Sequence, residues 1–146
     1  MLLTQLIYVS QASESMSQQA LASLVRLSAR NNARLDVTGV LLVYGRSMMQ
    51  LLEGDQPVVE ALFSKIRSDK RHSDVSKLLQ KTVRRRLYPE WGMGLSDLQA
   101  RQNLDLGRLN RLLSDLQANC ETADFSVEAR VLVSDFAQQA GTALSR

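Results

Sequence analysis

The chain has 146 residues, of which 45% are hydrophobic and 23% are charged. These fractions are typical of a globular domain, so they exclude a disordered chain, a collagen-like chain and a long coiled coil. The net charge of +3 is too small for the strong positive field of a dedicated nucleic-acid-binding protein. One cysteine and one histidine exclude an intramolecular disulfide and a metal site built from Cys and His side chains.

The N-terminal residues lack the basic segment and the long apolar stretch of a secretory signal peptide. No apolar run approaches the roughly 18 residues that are needed to span a bilayer. We therefore expect a cytoplasmic protein without a membrane anchor.

The first elements of the chain are predicted to be a strand and a helix. Leu3 to Val9 are rich in residues that favour strands, and they predict the first strand. Ser17 is placed to cap a helix, and apolar residues at helical spacing extend that helix to about Arg30. Asn31 and Asn32 suit the end of this helix, because asparagine tolerates left-handed backbone angles.

A hairpin and a second helix follow. Val37 to Tyr44 form a nearly continuous apolar run, which predicts a central strand buried on both faces. Met48 to Glu53 are its predicted hairpin partner. Asp55 is placed to cap the second helix, whose first turn tolerates Pro57. The apolar stripe of this helix consists of Val58, Val59, Leu62, Phe63 and Ile66.

The remaining elements complete a known architecture. Leu78 to Leu87 predict a fourth strand with three arginines at its end, and Trp91 to Leu95 predict a short fifth strand. The order β-α-β-β-α-β is that of the ferredoxin-like split unit, an α+β fold. We expect it to occupy residues 1–97. Residues 98–146 are predicted to add two amphipathic helices that cover the open face of the sheet.

Two polar side chains lie in strands that we expect to be buried. Gln50 follows two methionines and precedes two leucines, and Tyr8 follows Leu6 and Ile7. A buried amide or phenol needs a hydrogen-bond partner. Because the first and third strands of a split βαβ unit are neighbours, Tyr8 and Gln50 are placed to meet. Each could be satisfied within the protein, and the alternative is a polar ligand.

Further polar residues have both a structural and a functional interpretation. Asn32 offers a donor and an acceptor to the edge of a heterocycle, but it also suits a helix end. Asp69, Arg71 and His72 follow the second helix, and the residues alone favour a solvated helix end there. The arginines at 84–86 are weak evidence for nucleic acid, because an RNA-binding sheet carries aromatic residues on its central strands.

Motifs of the common enzyme classes are missing. The chain has no Walker A sequence, no Gly-x-Gly-x-x-Gly, no Gly-x-Ser-x-Gly and no Cys-x-x-Cys. The sequence therefore gives no support to a nucleotide-hydrolysing, hydrolytic or dithiol enzyme.

Several stretches taken together resemble the BLUF domain, a blue-light sensor that uses FAD. They occur in the order typical of that family, over roughly residues 2–97. They are Leu6–Ser10, Arg30–Asn32, Val37–Leu42, Gln50–Gly54, Ile66–His72 and Trp91–Met93. The added helices resemble those of a short BLUF photoreceptor that has no attached enzyme domain. One departure is Met48, where the family often carries phenylalanine.

The resemblance implies that a flavin lies between the two helices, against one face of the sheet. Tyr8 would be the photoactive tyrosine, Gln50 the switching glutamine, and Asn32 a partner of the flavin C4 carbonyl region. A basic group from Lys65 or Arg67 would approach the flavin. The implied cofactor-binding set is Leu24, Val25, Ser28, Asn31, Asn32, Gln50, Lys65, Ile66, Arg67, Asp69, Arg71 and His72.

By the same resemblance, blue light would drive an electron and a proton from Tyr8, with Gln50 as the bridge. After recombination, Gln50 would keep altered hydrogen bonds and the flavin absorption would move slightly to the red. The last strand, with Trp91 and Met93, and the C-terminal helices would pass this change to a partner protein. We thus expect a non-enzymatic, homo-oligomeric photoreceptor that binds FAD, with FMN and riboflavin as alternatives.

Two other classes of function stay open. One is a flavin-free ferredoxin-like module with a regulatory or interaction role. The other is a small redox flavoenzyme, which ranks last because the sequence has no nicotinamide-binding motif. Neither a membrane nor a nucleic acid is expected as a partner.

Overall fold

A computed structural model describes residues 2–13, 17–44, 46–89 and 94–97 of the chain. The predicted order of strands and helices is confirmed, and a fifth strand follows it. The elements are β1 (Leu3–Ala12), α1 (Gln18–Arg34), β2 (Thr38–Tyr44), β3 (Ser47–Gly54), α2 (Gln56–Arg67), β4 (His72–Val83) and β5 (Gly94–Asp97).

The strands form one five-stranded sheet in the order β4-β1-β3-β2-β5. All neighbouring pairs are antiparallel except β2 and β5, which run parallel. The close pairing of β2 with β3 requires glycine at position 39, because a Cβ there would overlap the carbonyl oxygen of Leu51. The register of β2 and β3 places Leu41 opposite Gln50, and the register of β1 and β3 places Tyr8 opposite Gln50.

Both helices pack on the same face of the sheet. The hydrophobic core on this face combines Leu21 of α1 with Val59 and Phe63 of α2. The sheet contributes Leu6 and Leu52, among others, to the same cluster. The predicted apolar stripe of α2 is confirmed, since each of its residues is buried or half-buried against this core.

Helix α1 begins where the sequence predicts but ends later. The Ser17 hydroxyl accepts a hydrogen bond from the backbone N–H of Ala20 at 3.1 Å, which confirms the cap. The predicted end near Arg30 is wrong, because the helix continues to Arg34 and includes both asparagines. The residue with left-handed backbone angles at this helix end is Asp36, with a φ of 54°. Asn32 is buried, and its carbonyl oxygen accepts the backbone N–H groups of Leu35 and Val37, which joins the helix end directly to β2.

The predicted bounds of the fourth strand are wrong. Strand β4 starts at His72 and ends at Val83, and it pairs along the whole of β1, which itself continues to Ala12. Most side chains of this edge strand are exposed or half-buried, so they lack the alternation that marks a strand in the sequence. The pairing with the longer β1 therefore defines the limits of β4.

The three arginines follow β4 rather than end it, and one of them is structural. The Arg86 guanidinium donates to Thr38 Oγ1 at 2.9 Å, to Glu53 O at 2.9 Å and to Asp36 O at 2.7 Å. It also lies 3.3 Å from the Asp36 carboxylate. Arg86 thus joins the ends of β2 and β3, whereas the other two arginines are exposed.

The fifth strand lies beside β2 and is described over Gly94–Asp97, so it includes the last residues of the predicted strand. Trp91, Met93 and residues 98–146 lie outside the described part of the chain, so the roles and the two helices predicted for them stay predictions. No helix within the described part is long and apolar enough to cross a bilayer.

Candidate functional site

A cavity of about 190 Å³ lies between α1, α2 and the helix-covered face of the sheet. Its apolar walls come from both helices and from β1, β2 and β3: Ala12, Leu24, Leu41, Met48, Leu62 and Ile66. Its polar groups are Tyr8, Ser28, Asn31, Asn32, Gln50, Asp69, Arg71 and His72. Apolar walls with a few placed hydrogen-bonding groups are typical of sites for small molecules and cofactors.

Tyr8 and Gln50 meet in this cavity, as the sequence predicts. They are register partners on the adjacent antiparallel strands β1 and β3, so their side chains leave the sheet on the same face. The Tyr8 hydroxyl donates a hydrogen bond to Gln50 Oε1. Both side chains are buried, with 4% of Tyr8 and 9% of Gln50 exposed. A phenol and an amide are thus held in direct contact at a ligand-sized cavity.

The surroundings of Tyr8 favour its neutral form. Burial raises the pKa of the Tyr8 phenol well above its ordinary value, and the negative charge of Asp69 raises it further. The phenol therefore keeps its proton over the whole physiological range and remains a hydrogen-bond donor to Gln50.

Because its pKa is raised in the folded state, Tyr8 will make the protein sensitive to alkali. Above about pH 10 the unfolded chain releases the Tyr8 proton while the folded chain retains it. The stabilising effect is complete below that pH and is lost as the pH rises, at about 1.4 kcal/mol per pH unit. We expect the free energy of unfolding of Tyr8→Phe to fall less steeply above pH 10. Equal slopes for both proteins, at the same flavin loading, would contradict this.

An ion pair lies at the rim of the cavity. The Arg71 guanidinium contacts the Asp69 carboxylate at 2.5 Å, and the Arg71 backbone N–H donates to the same carboxylate at 2.9 Å. Hydrogen bonds from the side chain and then the backbone of Arg71 lower the pKa of Asp69 to about 2. The Arg71 side chain is 75% exposed, so this pair contributes little to stability and mainly positions both groups.

His72 closes one side of the cavity and is held at both ring nitrogens. Nε2 lies 2.5 Å from the carbonyl oxygen of Ile66, and Nδ1 lies 3.2 Å from Ser10 Oγ. Because a carbonyl oxygen only accepts hydrogen bonds, Nε2 donates to Ile66 O, while Nδ1 faces the Ser10 hydroxyl, which can both donate and accept. The imidazole therefore joins the end of α2 to β1.

Most of the predicted cofactor-binding residues line this cavity, but three do not. Val25 packs half-buried against the core, and Lys65 is exposed on α2. The Arg67 guanidinium lies over the ring of Phe63, with its Cζ 5.1 Å from the ring centroid. A direct contact of these three side chains with a ligand stays a prediction.

Three apolar residues of the cavity wall, Leu41, Ala12 and Leu62, are not among the predicted cofactor-binding residues. Leu41 is the register partner of Gln50 on β2, so the alternation of side chains along the hairpin could have placed it in the cavity. Ala12 was missed because β1 was predicted to end at Val9. Leu62 was predicted as part of the apolar stripe of α2 but not as a ligand contact.

Metal chemistry finds no support in the described ranges, where no group of three or more His, Cys, Asp or Glu side chains could hold an ion. The site that these ranges do show is an apolar slot with amide and phenol groups.

The comparison with protein families decides what kind of site this is. The model of the BLUF family, described as sensors of blue-light using FAD, matches residues 3–94. The chain belongs to the BLUF family. It is therefore a member of a family of flavin-binding blue-light sensors, and its cavity lies in the segment that defines the family.

Similar BLUF sequences occur in larger proteins. The photoactivated adenylate cyclase subunit beta of Euglena longa is 41% identical over 90 residues, which cover 61% of this chain and 10% of that protein. The blue light- and temperature-regulated antirepressor BluF of Escherichia coli (strain K12) is 33% identical over 105 residues, 72% of this chain and 26% of that protein. This chain thus spans about a tenth of the cyclase subunit.

Solved structures show the same fold. The dark-state structure of BlrB, a BLUF protein, superimposes with a TM-score of 0.64 at 26% identity, covering 99% of this chain and 97% of BlrB. The BlrP1 BLUF structure gives a TM-score of 0.64 at 37% identity, covering 78% of this chain and 76% of that one. The α+β ferredoxin-like fold predicted from the sequence is thereby confirmed.

Proposed function

We propose that the chain is a blue-light photoreceptor that binds FAD in the cavity between α1 and α2, with Tyr8 and Gln50 as its light-sensitive pair. The buried hydrogen bond between these two side chains is the observation that carries the proposal. FMN is the main alternative cofactor, since one similar structure is of Klebsiella pneumoniae BlrP1 with FMN and cyclic diGMP. Membership of the family favours this function over a flavin-free interaction module.

The groups in the cavity match the chemistry of a flavin. An isoalloxazine ring has apolar faces, which suit the leucine and isoleucine side chains of α1, α2 and β2. Its polar edge needs both donors and acceptors, and the amides of Asn32 and Gln50 offer both. Both amides lie in the cavity wall on rigid elements, one on α1 and the other on β3.

The chemistry of the switch depends on the direct hydrogen bond between Tyr8 and Gln50. A bound flavin supplies the blue absorption and, once excited, an acceptor for one electron. Tyr8 gives up one electron and its phenolic proton, and the amide of Gln50 is the bridge for that proton. Both return to Tyr8, so no net reaction remains. Gln50 is left with different hydrogen bonds, through rotation of its amide, tautomerisation, or both.

The sheet offers a route from the switch to the end of the domain. Gln50 on β3 is the register partner of Leu41 on β2, and Leu41 is in turn the register partner of Leu95 on β5. Gln50 therefore lies two strands away from β5 in the sheet, and a change in its hydrogen bonds has only β2 to cross. We propose that β5 and residues 98–146 pass the change to a partner protein, and that the chain has no enzymatic activity of its own and forms a homo-oligomer in the cytoplasm.

A substitution that fills the cavity tests whether the flavin lies there. Ser28 on α1 is half-buried and lines the cavity, whereas Ser23 is exposed on the same helix. We expect Ser28→Trp to lower the flavin content of the purified protein by about tenfold, because the indole takes much of the available volume. Ser23→Trp is the matched control and should retain full flavin content.

The flavin content is measured by absorption, and the released cofactor is identified by chromatography, with FAD as the expected result. Circular dichroism checks that both variants fold. An unchanged flavin content in Ser28→Trp would show that the flavin does not occupy this cavity. Release of FMN instead of FAD would correct the cofactor but not the site.

A further inference from the structure

The ring of Tyr8 has an aromatic neighbour that the switch chemistry does not use. Phe63 of α2 meets Tyr8 with the ring centroids 5.3 Å apart and the ring planes at 88°. This perpendicular arrangement brings the positive edge of one ring against the negative face of the other. Both rings are buried, so the contact fixes Tyr8 from the side of α2.

The Phe63 ring also contacts a positively charged side chain. Arg67 lies one turn after Phe63 on α2, and its Cζ is 5.1 Å from the centroid of the Phe63 ring, within the range of a cation–π interaction. The ion pairs in the described ranges are Arg71 with Asp69 and Arg86 with Asp36, so Arg67 has no carboxylate partner there. Its charge therefore acts on the aromatic pair without local neutralisation by an ion pair.

We propose that Phe63 and Arg67 tune Tyr8 as an electron donor, with Arg67 as a positioning residue that acts through Phe63. This inference rests on the proposed function of Tyr8. Loss of an electron leaves positive charge on the Tyr8 ring until its proton moves towards Gln50, and the electron passes to the excited flavin. A cation over the Phe63 ring disfavours that positive charge, so Arg67 slows the electron transfer.

The contact with Phe63 distinguishes Arg67 from Lys65. Both are exposed cations near the end of α2, and neither lines the cavity. Only Arg67 lies over the ring that contacts Tyr8. If Arg67 contacts the flavin directly, its removal will lower the flavin content. If Arg67 acts through the stack formed by Arg67, Phe63 and Tyr8, its removal will leave the flavin content unchanged and will alter the electron transfer from Tyr8.

The test uses the flavin-loaded full chain and its fluorescence lifetime, which electron transfer from Tyr8 shortens. We expect Arg67→Gln to retain flavin and to shorten the lifetime about twofold. The effect is small because the loss of one cation–π contact at an exposed site changes a rate by only a small factor. Arg67→Lys should keep a lifetime close to that of the unmodified protein. Lys70→Gln removes an exposed positive charge just after α2 and should leave the flavin content and the lifetime unchanged. In a Tyr8→Phe background, Arg67→Gln should have no effect.

A dark-state measurement provides a second readout that does not depend on photochemistry. In the full chain labelled with ¹³C-tyrosine, the Tyr8 signal is the one that Tyr8→Phe removes. We expect Arg67→Gln to shift this signal and Lys70→Gln to leave it in place. A purely stabilising role of Arg67 would not move the Tyr8 signal in the folded protein.

The outcomes separate the inference from the function on which it rests. If Tyr8→Phe does not lengthen the lifetime, Tyr8 is not the electron donor, and both the function and the stack are overturned. If Tyr8→Phe lengthens it but Arg67→Gln matches Lys70→Gln, only the stack is overturned. A loss of flavin in Arg67→Gln alone would make Arg67 a flavin ligand and would also overturn the stack.

Discussion

Replacing Gln50 by leucine will leave the flavin bound and abolish the light-induced red shift of its absorption. Leucine has a similar volume and fits the apolar strand, but it cannot accept the Tyr8 hydroxyl or present an amide to the flavin edge. The unpaired Tyr8 hydroxyl will cost about 1–3 kcal/mol of stability, which a folded domain tolerates. The readout is the difference between absorption spectra recorded in the dark and after blue light.

A matched control for this change is available on the neighbouring strand. Gln11 on β1 is half-buried and donates to Ser47 Oγ at 3.1 Å, away from the cavity. Gln11→Leu makes the same chemical change and should keep the full red shift. A normal, reversible shift in Gln50→Leu would show that this glutamine is not the switch.

Replacing Glu53 by alanine will destabilise the fold more than any change at an exposed carboxylate. Glu53 lies at the end of β3 and is fully buried. Its carboxylate accepts the backbone N–H of Leu87 at 2.8 Å, the backbone N–H of Tyr88 at 3.0 Å and the side-chain amide of Gln5 at 3.0 Å. It therefore ties the segment after β4 to the centre of the sheet.

Alanine at position 53 removes the carboxylate that accepts the Gln5 amide and the backbone N–H groups of Leu87 and Tyr88, and each lost hydrogen bond costs about 1–3 kcal/mol. We expect a loss of about 3–5 kcal/mol in the free energy of unfolding, a large part of the stability of a small domain. Glu60→Ala is the control: Glu60 is exposed on α2 and accepts hydrogen bonds from Gln56 and Gln80. Urea unfolding at equal flavin loading measures both variants, and similar losses would refute the role given to Glu53.

The order of elements and the meeting of Tyr8 with Gln50 could be predicted because they depend on local patterns and on general topology. Apolar runs mark β1, β2 and β3, and Ser17 marks the start of α1. The neighbouring positions of the first and third strands follow from the split βαβ unit. The polar residues in these strands then had to face each other or a ligand.

Other features depend on partners that are distant in the sequence. Strand β4 has few buried residues, and its limits follow from pairing with β1. Glu53 is satisfied by backbone N–H groups 34 and 35 residues away, which no pattern around position 53 indicates. Arg86 reaches the ends of β2 and β3 for the same reason. The position of Arg67 over Phe63 follows from side-chain packing, so the sequence left Lys65 and Arg67 as equal alternatives.

The absorption spectrum of the purified full chain, recorded in the dark and after blue light, tests the central claim most directly. We predict a flavin spectrum that moves slightly to the red under blue light and returns in the dark, because light changes the hydrogen bonds of Gln50 without net chemistry. A bound flavin whose spectrum does not move, or a protein that takes up no flavin, would contradict the account.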